Sequence, residues 1–487
     1  MEINLKSWKE SRQDKNVFTS GNEIHSYQNS TFIEDLKSSQ IICFDKQGNE
    51  KFEIKSKISN CKEYIPYEYY TSEKPTTYCD SLLHLLKFSV GTGILTIPSA
   101  FKDVGYILGI SGIAFIAVLY THCMHLLIKS EYELCKRKRI PNMSYANTVH
   151  AAFEETFPRF RYLASCGKFF TDFFFVIYES GACSIYIIFI SSNLKQLLDY
   201  YLHDDINLRI IMLYVTLPLI FVCWIRNLKL LAPLSAVANI ILVICFILVF
   251  WYVFQETPTF EGKQAITSLK RMPTFFSTIL FATACTGIIL PLKSEMKEPI
   301  KFASPVGVLN VAFFPIALLY ATFGFFGYLK YGENIAGSIT LNLPQNELSA
   351  QVIKGLYSLS IIISFYLCYY VVLDVVWKNY LKYIFKKNTL FWEFVARTLF
   401  PIITFIMAYT IPNLKTFISL VGAFGICATS LVIPVIIHTL VFWNFYQTKK
   451  QFYVFFFKNL VLFCISMIIF LTGISENVID IIELYKK

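Results

Sequence analysis

The chain has 487 residues, of which 55% are apolar and only 16% charged, and its mean hydropathy is +0.50. Soluble domains carry nearer ~25% charge, so this composition excludes an ordinary soluble protein and places the chain in lipid. The net charge of +10 does not mark a nucleic-acid partner: residues 1–79 hold 11 Lys/Arg against 12 Asp/Glu, so the excess lies among the apolar segments and reports topology.

Residues 1–79 are rich in Lys, Glu, Ser and Asn, with no sustained apolar run and no signal-peptide pattern. They are expected to form a mostly disordered tail. From Asp80 onward, apolar stretches long enough to cross roughly 30 Å of hydrocarbon lie at about 80–101, 104–130, 165–194, 207–226, 228–255, 273–292, 302–328, 351–378, 391–411, 415–442 and 452–474. They predict an all-α polytopic membrane domain of eleven transmembrane helices over 80–474, followed by a short tail, 475–487. The 13 cysteines fall mostly inside these runs, as at Cys123, Cys183, Cys245, Cys285, Cys368, Cys427 and Cys464. A thiol there behaves as a small hydrophobe. No CxxC pair or Cys/His spacing suggests a metal, and the His122/Met124/His125 group lacks further soft ligands.

Basic residues set the orientation. Lys136, Arg137, Lys138, Arg139, Arg159 and Arg161 lie between the second and third stretches, and Arg226, Lys229, Lys293, Lys297, Lys301, Lys378, Lys382, Lys386, Lys387, Lys449 and Lys450 recur at every second loop after them. The intervening loops are poorer, and one is acidic at Asp199, Asp204 and Asp205. The positive-inside rule makes the N-terminal tail cytoplasmic and puts Lys487 on the far side. The sequons at Asn29 and Asn142 then face the cytoplasm and are expected to stay unmodified.

Two stretches are interrupted. The first reads Ser89-Val90-Gly91-Thr92-Gly93-Ile94-Leu95-Thr96-Ile97-Pro98, and the sixth Ala284-Cys285-Thr286-Gly287-Ile288-Ile289-Leu290-Pro291. In a helix interior Gly costs about 1 kcal/mol and Pro about 3, and lipid offers freed backbone groups no partner. Such breaks are tolerable only against protein or a wet cavity. One Gly and one Pro in the sixth stretch alone would better suit a close-packed small-residue crossing. Recurrence five stretches later instead matches an inverted repeat of five plus five helices, the substrate lying between paired breaks and the eleventh helix outside the repeat. The half-helix after Gly93 directs unpaired N–H groups at the midplane, where they can hold a carboxylate, with Thr92 supplying a hydroxyl. Unwound carbonyls near Ala284 and Cys285 can accept from an ammonium, so a zwitterionic amino acid satisfies both ends.

The order His84-Leu85-Leu86-Lys87, Gly91-Thr92-Gly93, Pro98, His122-Cys123-Met124-His125, Arg226-Asn227-Leu228, Leu290-Pro291-Leu292, Glu295-Met296-Lys297 and Gly337 to Pro344 resembles the proton-assisted amino acid transporters of the amino acid/auxin permease group, from about Asp80 to Gly473. The resemblance implies the amino-acid-transporter (APC-type) core, transport of small neutral amino acids and a proton as coupling ion, with no other cofactor. His84 matches the histidine proposed to handle that proton. Where the family usually has Glu-Gly this chain has Ala284-Cys285, and the usual acid after Leu-Pro-Leu is Lys293.

Each charge inside the membrane is a functional candidate, since it costs at least ~2.5–3.5 kcal/mol there. His84, of the residue type that changes charge in the physiological range, can exchange a proton or can be a hydrogen-bonded interface residue; Lys87 is expected to snorkel or pair. Glu179, beside Gly181 and Ala182, is the second proton candidate or else a paired structural acid, whereas Asp172 reads as structural, neutralised by Lys168, and Asp374 as a solvated end residue or a partner of Lys378. Tyr366, Tyr369 and Tyr370 are expected to fill the core. The residues expected to hold substrate are Gly91, Thr92, Gly93, Ile94, Ala284, Cys285, Thr286 and Gly287. A secondary transporter in the plasma membrane or a lysosomal or vacuolar membrane is the leading expectation. An amino-acid receptor signalling through the tail and an uncoupled carrier are the alternatives, and no clustered catalytic groups suggest an enzyme. Oligomeric state is open.

Overall fold

A computed structural model describes residues 64–70, 75–89, 91–156, 161–226, 231–255, 257–446 and 448–486. The sequon at Asn29, most of the expected tail, and Val90, Arg159, Asn227, Lys229 and Lys487 lie outside them. The helices are α1 (Tyr78–Ser89), α2 (Ile97–Val104), α3 (Tyr106–Lys138), α4 (Tyr145–Thr156), α5 (Tyr162–Leu202), α6 (Leu208–Cys223), α7 (Leu231–Phe254), α8 (Met272–Ala282) and α9 (Thr286–Glu295). There follow α10 (Val308–Tyr331), α11 (Leu348–Ile384), α12 (Thr389–Thr410), α13 (Leu414–Val441) and α14 (Lys449–Lys486). The protein is an all-helical, polytopic membrane protein: among the described residues nine helices are long and apolar enough to cross a membrane, and the bent α1–α2 pair makes a tenth.

The expected span at 207–226 is shorter than its apolar run. α6 has 16 residues, below the roughly 20 that span hydrocarbon upright. It stops at Cys223 because the buried Arg397 guanidinium donates to the carbonyls of Cys223 and Ile225 at 3.0 and 3.2 Å while pairing with Glu393 at 2.9 Å. A cation on the last carbonyls of a helix satisfies their unmet acceptors.

The C-terminal boundary departs from expectation. Residues 475–486, expected as a tail, continue α14 as helix. Their polar groups are met by neighbours: buried Asn477 donates to Ser419 Oγ at 3.0 Å, and Asp480 pairs with Arg271 at 2.5 Å. At the other end, the tail expected to be mostly disordered is described only at 64–70 and 75–79. Pro66–Tyr69 forms one 3-10 turn, and Thr76 bridges the end of α9, its N–H donating to Glu295 O at 2.8 Å and its carbonyl accepting from Lys297 N–H at 3.0 Å.

Burial separates core from periphery. The most apolar windows of 269–295, 414–441 and 162–202 are 72%, 72% and 67% buried, against 17% and 22% for α12 and α14, so the broken sixth helix lies at the centre and α12 and α14 face lipid. Close approach there depends on glycine. A Cβ at Gly422, in a π-helical turn of α13, would strike the carbonyl of Ser277 on α8.

Several intramembrane charges find partners that the sequence did not indicate. Asp172 accepts from Tyr380 Oη at 2.9 Å and Asn379 Nδ2 at 3.3 Å rather than from Lys168, because a π-helical turn at Trp377–Leu381 carries both donors to it. Lys293 and Glu131, each 1% exposed, form a buried ion pair between α9 and α3. Glu131 also receives Met143 N–H and Cys135 Sγ, each at 3.4 Å, and the Lys293 ammonium lies 5.4 Å from the Tyr67 ring. Asp374 does pair with Lys378, at 2.8 Å. Tyr366 and Tyr369 are fully buried and donate to the carbonyls of Ile225 and Cys223.

Candidate functional site

The first break is built by backbone chemistry. α1 ends at Ser89, Gly91 is extended (φ −110°, ψ −155°), and a 3-10 turn over Thr92–Thr96 leads into α2, the two segments meeting at 41°. At the second, α8 ends at Ala282 and residues 283–285 are non-helical before α9 begins at Thr286. The first N–H groups of each restarted helix have no helical acceptor.

Tyrosines tie the two breaks together. The single hydroxyl proton of Tyr320 on α10 is shared between Ser89 O at 2.5 Å and Ala282 O at 2.7 Å, the last carbonyls before each interruption. Tyr120 on α3 accepts from Cys285 N–H at 3.1 Å and bonds Thr286 Oγ1 at 2.9 Å, and Thr286 in turn bonds Ser430 Oγ at 2.6 Å. Both tyrosines are fully buried, so each hydrogen bond replaces one that lipid could not supply.

Between the breaks lies a cavity of about 300 Å³. Its walls include Gly91, Thr92, Gly93 and Ala284 from the broken segments, His84 and Lys87 from α1, and Glu179 from α5. Thus four of the eight residues expected to hold substrate, and both proton candidates, line one cavity. Ile94, Cys285, Thr286 and Gly287 do not line it. Ile94 and Cys285 are fully buried, Thr286 is used in the hydroxyl chain, and Gly287 backs onto the Phe175 ring. They hold the breaks in shape.

The two glycines of the first motif have different jobs. A Cβ on Gly91 would meet nothing within 4 Å, so this residue opens onto the cavity. A Cβ on Gly93 would fall 2.5 Å from Ala282 Cα and 2.9 Å from its Cβ, so Gly93 is where the two broken helices touch.

Sequence reasoning missed Tyr178, Tyr186, Ser364 and Cys368, which complete the wall from α5 and α11. Tyr186 Oη lies 3.8 Å from Cys368 Sγ. The cavity opens along α1, where His84, Lys87 and Phe88 are exposed. On the α2 side it is closed: Asp103 pairs with Lys415 of α13 at 2.5 Å, and the loop residues Ser338, Ile339 and Thr340 are fully buried.

Residues 74–479 match the model of the family described as transmembrane amino acid transporter protein. This chain belongs to that family. The transporter is 33% identical over 447 residues to the proton-coupled amino acid transporter-like protein pathetic of Drosophila melanogaster, covering 91% of this chain and 94% of that protein. It is 24% identical over 418 residues to the probable amino acid transporter skat-1 of Caenorhabditis elegans, covering 84% and 90% respectively. The relatives are transporters, in keeping with a non-enzymatic role.

Proposed function

We propose that this amino acid transporter moves small neutral amino acids, together with a proton, by alternating access in a core of two inverted five-helix halves, with an eleventh helix outside the repeat. The observation that carries the reading is the single cavity where both helix breaks meet. Its volume, about 300 Å³, sits at the lower end for ligand sites and suits a small solute. The substrate carboxylate takes the first N–H groups after Gly91, and the ammonium faces the unwound segment at Ala284. Glu179, 5% exposed and the one carboxylate among the described cavity residues, carries the proton. His84, exposed at the cavity mouth, relays it. The opening along α1, with the N-terminus read as cytoplasmic, supports an inward-facing state, and the protein is assigned to the plasma membrane or a lysosomal or vacuolar membrane.

Uptake of labelled alanine, proline or glycine into liposomes should be saturable and should rise when an inward proton gradient is imposed. Absence of saturable flux for every amino acid would defeat the proposal. Glu179→Gln should keep exchange of substrate across the membrane but lose the response to the gradient; an unchanged response would remove Glu179 from coupling. The orientation has its own check. Asn142 is exposed, yet no endoglycosidase-sensitive mass shift should map to it, and one that did would invert the topology.

A further inference from the structure

A second cavity, of about 520 Å³, lies apart from the transport site, between α4, the start of α5 and the π-helical turn of α11. Its polar lining comes from Asn147, His150, Ser165, Lys168, Asn379, Tyr380 and Tyr383. No carboxylate lines it. Asp172, the nearest acid on α5, is held by Tyr380 and Asn379, and Glu154 is tied to Lys138 at 2.5 Å, 3.9 Å from His150. Lys168 is half-buried, and the described residues give it no carboxylate. A half-buried lysine to which the described residues bring no carboxylate, beside Asn147, Ser165 and Tyr383, is suited to receive an anion.

The position says which anion. Lys168 stands six residues, or about 9 Å, from the start of α5, a helix long and apolar enough to cross a membrane. Beside it Phe169, Phe170 and Phe173 are exposed at 52%, 55% and 41%, a lipid-facing strip that begins at the cavity wall, where Phe169 is itself a lining residue. The same end of the protein carries Lys378, Lys382, Lys386 and Lys387. A soluble phosphate would leave the phenylalanine strip unused, whereas a phospholipid fits both halves. Basic pockets between membrane helices bind anionic headgroups in this way.

We propose that this cavity holds the headgroup of an anionic phospholipid, its phosphate on Lys168 and His150 and its acyl chains along Phe169 and Phe173. α11 supplies both Cys368 of the transport cavity and the π-turn of the lipid cavity, so occupancy braces the inner end of a helix that lines the substrate path. The full-length protein in detergent, examined by native mass spectrometry with added phosphatidylserine, phosphatidylcholine or inorganic phosphate, tests this. Wild type should retain one phosphatidylserine in preference to phosphatidylcholine, inorganic phosphate should not displace it, Lys168→Gln should weaken retention roughly tenfold, and Lys168→Arg should keep it. Equal retention of the two lipids, displacement by inorganic phosphate, or undiminished retention in Lys168→Gln would overturn the proposal. The lipid preference is measured on wild type alone, so a variant that fails to fold does not decide the outcome.

Discussion

Gly93→Ala should abolish transport and lower thermal stability, while Gly91→Ala, two residues away, should leave the fold intact and change only what is carried. The added methyl at position 93 would sit 2.5 Å from a backbone atom of Ala282. Backbone cannot rotate aside as a side chain can, so the two broken helices must separate. Overpacking costs typically about 1–3 kcal/mol, and here the strain falls on the contact that sets the cavity's shape. Uptake in liposomes should drop at least roughly tenfold, with a lower unfolding midpoint in detergent. At position 91 the methyl enters open cavity, and φ of −110° accepts any residue. Its unfolding midpoint should match wild type, with proline transport impaired more than glycine transport because the larger substrate competes for the space. If both variants behaved alike, the division of labour between the two glycines would be wrong.

Removing one partner of the Glu131–Lys293 pair should be the most destabilising single change at the basic end of the protein. Both side chains are 1% exposed, and breaking a buried ion pair leaves an uncompensated charge at a cost of about 3–5 kcal/mol. Lys293→Met and Glu131→Gln should each lower the thermal midpoint of the purified protein. The double variant Glu131→Leu/Lys293→Met should recover much of the loss, since no charge is stranded. Lys293→Glu, restoring the acid usual in the family the sequence resembles, should be the worst, because it sets two carboxylates against each other. Single variants as stable as wild type, or a double variant no better than the singles, would contradict a stabilising pair.

The sequence showed the parts of this architecture that break a rule, and hid the parts that obey it. Glycine and proline inside an apolar run conflict with helix formation, so the interruptions at Gly91–Gly93 and Ala284–Gly287 were legible, as was Glu179, a carboxyl where lipid tolerates none. Tyr178, Tyr186, Ser364 and Cys368 line the same cavity but sit in α5 and α11, which are apolar on nearly every face. Without an amphipathic phase, nothing in the sequence distinguishes the side facing the cavity from the side facing other helices. Partners distant in the chain were equally hidden. Lys293 read as a departure from a family pattern until the structure set it against Glu131, 162 positions away, and Lys168 looked like the partner of Asp172 only because it stands four residues before it. The end of α14 went unread for a related reason: Asn477 and Asp480 look like tail residues until Ser419 and Arg271 meet them.

The central claim is that an amino acid occupies the cavity between the two breaks, and Cys368 in its wall offers a direct reading of occupancy. Modification of the purified transporter by a small maleimide, quantified peptide by peptide, should slow at Cys368 when alanine is added at saturating concentration. Modification of the exposed Cys166, which does not line the cavity, should be unaffected. Unaltered labelling of Cys368 under alanine, proline and glycine, in a preparation that transports any of them, would place the substrate elsewhere.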